Sequence, residues 1–281
     1  MMPMVLEGRA LCVVGNHELN LMTGKRREGN KWFYGEKETT AKGIKLKSVL
    51  ADKTFRERYL AFLVEMPLVL ERRDLRVAHA CYDDESLSKL IGSVKEAYDK
   101  SERDIEERLR ETRELAKGEK KGFNLHDPDH RPPLLKNVQL LSRDEQLGNP
   151  AKVITSGPER FVADGEMFFA GGRWRFVERH RWWEGYTDEQ AVVTGHYWRR
   201  RDRDITGQTG HPLSPYGWRD WYGAAGNVFC VDYSAGRRYE QRDEGETQFW
   251  GGLSALRWPE RTLVFDDREE TFLTQRYRQA P

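Results

Sequence analysis

Three short apolar runs, each leading into a histidine, set the pattern of this chain. They are residues 11–14 ahead of Gly15-Asn16-His17-Glu18, residues 75–78 ahead of His79, and residues 191–194 ahead of Gly195-His196. Their β-rich composition predicts strands, and a Gly-Asn turn can present the next side chains outward from a strand end. In residues 48–70 the apolar positions Leu50, Phe55, Tyr59, Leu60, Phe62 and Leu63 fall at near-helical spacing, and Pro67 closes that element before the strand at Leu75. A helix feeding a strand in this way predicts a parallel sheet.

Residues 84–118 predict a charged helix broken once, with Ile91, Val94, Tyr98, Ile105 and Leu109 on one face. Glu96 with Lys100, Asp104 with Arg108, and Glu106 with Arg110 stand at the i,i+4 spacing that supports an exposed face. Residues 19–47, polar and Gly-rich around Trp32, Phe33 and Tyr34, predict a loop folded over the strand ends, where it would wall a substrate. Residues 117–133 predict a second loop; its His126, Asp127, Asp129 and His130 invite a metal reading, but Asp127-Pro128-Asp129 is turn chemistry. In the second half, β-like segments at 151–155, 166–169, 174–177, 192–194, 228–233 and 262–265 alternate with turns, a pattern that suits the second sheet of a sandwich.

Asn16, His17, His79 and Gly195-His196, taken in that order, resemble the later motifs of the calcineurin-like metallophosphoesterases: a Gly-Asn-His-Glu/Asp turn, a lone strand-end histidine and a Gly-His pair. The resemblance covers most of the chain. Gly226-Asn227-Val228-Phe229-Cys230-Val231-Asp232, Gly251-Gly252 and Leu253-Ser254-Ala255-Leu256 look like the final hairpins of that fold, particularly in its bacterial phosphoprotein-phosphatase-like branch. The family's opening Asp-x-His and Gly-Asp-x-x-Asp-Arg-Gly motifs are not in the sequence, and too few residues precede Gly15 to hold the two strands and helices that carry them. The chain therefore reads as a family member that begins late.

The resemblance implies a single domain over residues 1–281: a metallo-dependent phosphatase-like α/β sandwich of two mixed β-sheets flanked by helices, with the first strands missing and a charged helical insertion around 84–118. It implies metal-dependent phosphoester hydrolysis, with Asn16, His79 and His196 as metal ligands and His17 as the general acid that protonates the leaving oxygen. Neutral imidazoles suit Mn, Fe or Zn, and an amide oxygen adds a hard ligand without adding charge. In the family the centre is dinuclear, a carboxylate bridges the metals, and a bridging hydroxide attacks phosphorus. That carboxylate belongs to a missing motif, so the second metal site is expected to be incomplete and metal loading weak or absent. His17 likewise lacks the carboxylate that orients its counterpart in the family. The rival reading is a catalytically impaired remnant that binds a phosphorylated ligand or a protein partner.

Tyr197-Trp198-Arg199-Arg200-Arg201-Asp202-Arg203 follows His196 directly, which nominates Arg199 and Arg200 as substrate-binding residues at the rim of the site. The expected partner is a phosphorylated small molecule, nucleotide or phosphoprotein. Lys and Arg number 47 against 46 Asp and Glu, so no global field draws the chain to nucleic acid, although the Trp- and Arg-rich second half keeps a nucleic-acid binder as a third reading. An odd set of three cysteines, Cys12, Cys81 and Cys230, each in or beside an apolar run, fits a reducing cytoplasm. The sequence shows no signal peptide and no membrane-spanning run. A strand at 11–14 without neighbours on both sides would expose an edge, so self-association is expected.

Overall fold

The computed structural model describes residues 2–39, 43, 45–201 and 211–277, and its architecture is mixed α/β. Helices α1 (Met2–Leu6), α2 (Asn16–Met22) and α3 (Lys53–Val64) lead into strands β1 (Val69–Arg72) and β2 (Leu75–Ala78). Helices α4 (Asp84–Ser88), α5 (Val94–Arg108), α6 (Arg110–Lys120), α7 (Lys136–Leu147) and α8 (Pro150–Ser156) follow. The second half holds β3 (Glu159–Phe161), β4 (Phe168–Ala170), β5 (Arg173–Arg175), β6 (Val177–Arg179), β7 (Ala191–Thr194), β8 (Val228–Cys230), a short helix α9 (Arg238–Asp243), and β9 (Ser254–Arg257), β10 (Thr262–Phe265) and β11 (Phe272–Leu273).

One sheet organises the rest. Its order is β1-β2-β7-β8, with β2, β7 and β8 parallel and β1 joined to β2 as an antiparallel edge hairpin. Leu75 stands opposite Ala191, and Val192 opposite Val228. Ala191, Val192, Val228, Phe229 and Cys230 are fully buried, as expected where parallel strands are covered on both faces. Because the three strands run the same way, the residues following β2 and β7 emerge at a single edge.

Residues 11–14 depart from the sequence-based expectation: they form no strand ladder. Val14 N–H donates to the Pro67 carbonyl at 2.9 Å, while Leu11 is 75% exposed. Gly15 then caps α2 directly, so Asn16 and His17 open a helix rather than a loop, and the expected loop at 19–47 begins helical. Trp32 and Phe33 lie in a 3₁₀ turn, Lys31–Tyr34, with Phe33 buried against the α3 face that carries Tyr59. Residues 151–155 form α8 rather than a strand. Asn149 accepts a hydrogen bond from Ala151 N, and Pro150 takes the first helical turn, so capping outweighs the β-branched content.

The charged region breaks twice, at residues 89–93 and at Leu109. Tyr98, Ile105 and Leu109 are buried as expected, but Ile91 falls in the first break and is 76% exposed. Glu96 closes a capping box with Ser93, and Glu106 pairs with Arg113. The second-half strands do not form one sheet. Residues 192–194 and 228–230 belong to the organising sheet, while β3–β6, β4–β5 and β9–β10–β11 pair separately. Trp221, Phe229, Tyr233, Leu263 and Phe265 make one core cluster that joins β8 to β10.

The structure moves Arg199 away from the rim expected of it. It is 2% exposed, donates to the carbonyls of Trp218 at 3.1 Å and Asp220 at 2.9 Å, and packs against the rings of Tyr222 and Phe229. A guanidinium engaged in this way holds the fold and has no donors facing solvent. Its neighbour Arg200 lies over the Trp250 ring, 4.4 Å from the centroid, and Arg201 pairs with Asp267; Asp202 and Arg203 lie outside the described residues. Replacing Arg199 by Leu leaves two buried carbonyls without their donor, and we expect a loss of about 3 kcal/mol in urea unfolding.

Candidate functional site

The site is assembled at the edge where β2 and β7 end. Gly195 N–H donates to the His79 carbonyl at 2.9 Å, which fastens the two strand ends together. Ala80 and Cys81 N–H groups both donate to the Ile154 carbonyl at 3.1 Å, so the end of α8 holds the chain just past His79. His196 adopts φ 63°, a left-handed conformation unusual for a histidine, and its ring meets those of His79 and Tyr197 edge-on at 5.3 and 5.2 Å between centroids.

Gly15 brings α2 to the same place. A Cβ there would stand 2.7 Å from both the Glu18 carboxylate and the His79 ring, so only glycine lets the helix start approach β2 this closely. The result is a direct contact between two sequence-predicted residues: Asn16 Oδ1 lies 2.9 Å from His79 Nε2. Asn16, His79 and His196 are thus brought together, and His17 stands beside them on the first turn of α2.

Burial keeps the two strand-end histidines neutral. It pulls His79 below its ordinary range, helped by His17 and opposed by Glu18. His196 is pushed down to about 3, first by burial and then by its neighbours His79, Arg179 and His17. A neutral imidazole offers a lone pair, which is the form a metal ion binds.

His17 is exposed but well oriented. Its Nδ1 donates to Asn30 Oδ1 at 3.1 Å, and Asn30 Nδ2 donates to the His17 carbonyl at 2.9 Å. Since the Asn30 oxygen accepts, Nδ1 carries the proton and Nε2 is left for chemistry. Asn30 is itself 2% exposed, and Glu38, 5% exposed, accepts from the backbone N–H groups of Gly29 and Lys31 on either side of it. Gly29, at φ +85°, leaves room for the His17 ring. Asn30 and Glu38 escaped the sequence reading because a polar loop residue carries no periodic signal; the αL-permissive Gly29 next to Asn30 was the one local hint.

Arg179, whose charge acts on His196, donates from Nη1 to Glu159 Oε1 at 2.7 Å and to the Gly157 carbonyl at 3.3 Å. Arg179 therefore supplies the positive charge beside the histidines that Arg199 does not. The His126, Asp127, Asp129 and His130 segment is an exposed turn, in which Asp127 accepts from the Asp129 backbone and from His130.

The donor set meets the demands of a divalent ion in part. The Asn16–His79 contact at 2.9 Å is a hydrogen bond in which His79 Nε2–H donates to the Asn16 amide oxygen, so a divalent ion held by both atoms would take the place of that proton. The set holds two imidazoles and one amide; among the described residues, no group of three or more His, Cys, Asp and Glu side chains is placed to hold a metal ion. No helix among the described residues is long and apolar enough to cross a membrane, and the three cysteines are free, with Cys81 and Cys230 buried.

In comparisons with known proteins, no family model, no curated protein and no solved structure matches the chain.

The depressed His196 gives a signed pH dependence. Between its ordinary value of 6.5 and about 3 the unfolded chain binds a proton that the folded chain refuses, so this contribution to stability is complete above 6.5 and is lost as the pH falls. Urea unfolding from pH 7 to pH 4.5 should show wild type losing stability more steeply than His196→Asn, by up to about one proton, or 1.4 kcal/mol per pH unit.

Proposed function

We propose that the chain is a metal-dependent phosphoester hydrolase with Asn16, His79 and His196 as metal ligands and His17 as general acid. The observation that carries this reading is the convergence of three sequence-distant segments, with Asn16 Oδ1 2.9 Å from His79 Nε2 and the His196 ring alongside. The β9–β10–β11 sheet, joined to β8 through the Phe229 and Leu263 cluster, supports reading the α/β fold as a phosphatase-like sandwich.

A divalent ion such as Mn, Fe or Zn held there would supply Lewis-acid charge against phosphoryl oxygens and a water acidic enough to ionise near neutral pH. The remaining work falls to the chain's own groups. Asn16, His79 and His196 offer neutral donors in a partly buried setting. Asn30 fixes the His17 tautomer, so that His17 Nε2 can take up a proton and deliver it to the leaving oxygen. Arg179, rather than Arg199, is the guanidinium placed to attract a phosphoryl group. The substrate is a phosphorylated small molecule, nucleotide or phosphoprotein, handled in the cytoplasm. Leu11, 75% exposed at the start of the 11–14 segment, is a natural contact for self-association.

A second reading, a remnant that binds a phosphorylated ligand without turning it over, is favoured by one observation: the third donor of the set is an amide, and among the described residues no group of three or more His, Cys, Asp and Glu side chains is placed to hold a metal ion. Hydrolysis of p-nitrophenyl phosphate with added Mn separates the two readings. Turnover that falls roughly 100-fold or more in His17→Ala is the result expected of the hydrolase. No turnover by either protein, with both folded, supports the remnant.

A further inference from the structure

We propose that Glu38 is the positioning residue for His17: its buried carboxylate closes the turn at residues 29–31, and that turn holds the His17 ring with the proton on Nδ1 and Nε2 bare. The inference rests on the reading of His17 as a proton-transfer group and names what fixes its geometry.

Asn30 grips His17 at two points. Its Oδ1 accepts from the ring at 3.1 Å, and its Nδ2 donates to the His17 carbonyl at 2.9 Å. A carbonyl oxygen can only accept, so the amide atom facing it is the nitrogen and the atom facing the ring is the oxygen. That oxygen in turn requires a proton on Nδ1, so one backbone carbonyl settles both the amide orientation and the imidazole tautomer. The grip lasts only while Asn30 keeps its place beside His17.

Glu38 keeps it there. One carboxylate oxygen accepts from the Gly29 N–H and the other from the Lys31 N–H, the latter at 3.0 Å. Asn30, the residue between them, is thereby clamped from both sides, and both Asn30 and Glu38 are buried. Hydrogen bonds to a carboxylate are stronger than those between neutral groups. Glu38 is itself tied down, since the Leu46 N–H donates to its carbonyl at 2.9 Å. Two further backbone hydrogen bonds close the same turn, from Asn30 to the Arg27 carbonyl at 3.2 Å and from Phe33 to the Asn30 carbonyl at 3.1 Å. Gly29 completes the fit: a Cβ on it would stand 2.6 Å from His17 Cε1, so the backbone of the turn lies directly against the ring edge. Burying a carboxylate is costly, and the contacts this one secures converge on an exposed ring, as a shell that supports a functional group does. The rival role is a staple for the 3₁₀ turn that seats Phe33, and a staple would leave the His17 tautomer unchanged when removed.

The test is nitrogen-15 NMR of the histidine side chains in the full, metal-free chain at about pH 8, where imidazoles are neutral. Wild type should show His17 protonated on Nδ1. In Glu38→Ala and in Asn30→Ala the ratio of Nδ1–H to Nε2–H forms should fall at least about fivefold, the preference that one hydrogen bond supplies. An unchanged ratio in either variant, with wild-type circular dichroism, overturns the inference, as does a wild-type His17 protonated on Nε2. Should Glu38→Ala fail to fold, Glu38→Gln serves instead, because its amide offers one acceptor oxygen where two N–H groups need two. A fall of about twofold or more then supports the inference, and no fall overturns it. Hydrolysis of p-nitrophenyl phosphate separates the inference from the reading beneath it. Where wild type turns over, kcat should fall about tenfold in Glu38→Ala with KM within about twofold; an unchanged kcat beside a shifted tautomer overturns the positioning role. A tautomer that shifts in a chain without turnover sinks the hydrolase reading and leaves Glu38 as the residue that fixes His17.

Discussion

The parallel register of β2, β7 and β8 is the constraint on which everything else depends. It sends His79 and His196 to the same edge, and the Gly195 to His79 backbone hydrogen bond fixes how close they come. A slip of one residue in either strand would turn alternate side chains to the opposite face, and both faces of this sheet are buried. The third component, Asn16, arrives from a helix start, and only because Gly15 has no side chain to keep α2 away from His79. The strained backbone of His196, at φ 63°, fits this picture: the surrounding packing holds a conformation that the isolated residue would avoid.

Electrostatics divides the edge into two halves. Around His79 and His196, burial favours neutral rings and hence lone pairs. Beside them, Arg179 is paired with Glu159 at 2.7 Å. The Tyr197 ring packs on His196 and on Trp183. His17 stands outside both halves on an exposed turn, and its orientation comes from Asn30 rather than from burial.

Much of this was legible in the sequence, for a physical reason. Strands at 75–78 and 191–194 are short apolar runs whose closing histidines stand out against their neighbours, so both the elements and the candidate site residues could be read locally. Residues 151–155 misled because their β-branched content is a weaker signal than the Asn149-Pro150 start that caps α8. Arg199 misled because an arginine-rich run looks solvated; nothing local says that one member will be enclosed by Tyr222 and Phe229 and satisfied by two backbone carbonyls. Asn30, Glu38, Arg179 and Glu159 act through partners 7 to 20 residues away, and such pairings are fixed by tertiary contact rather than by pattern.

The central claim is that Asn16, His79 and His196 form one ligand set. Mn titration of the chain, followed by electron paramagnetic resonance of the free ion, tests it most directly. The account predicts saturable binding of Mn that weakens more than about tenfold in both His79→Ala and His196→Ala, while the Arg200→Ala protein binds as wild type does. Binding that is equally tight in the two histidine variants and in wild type would contradict it, as would no binding by a folded wild-type chain.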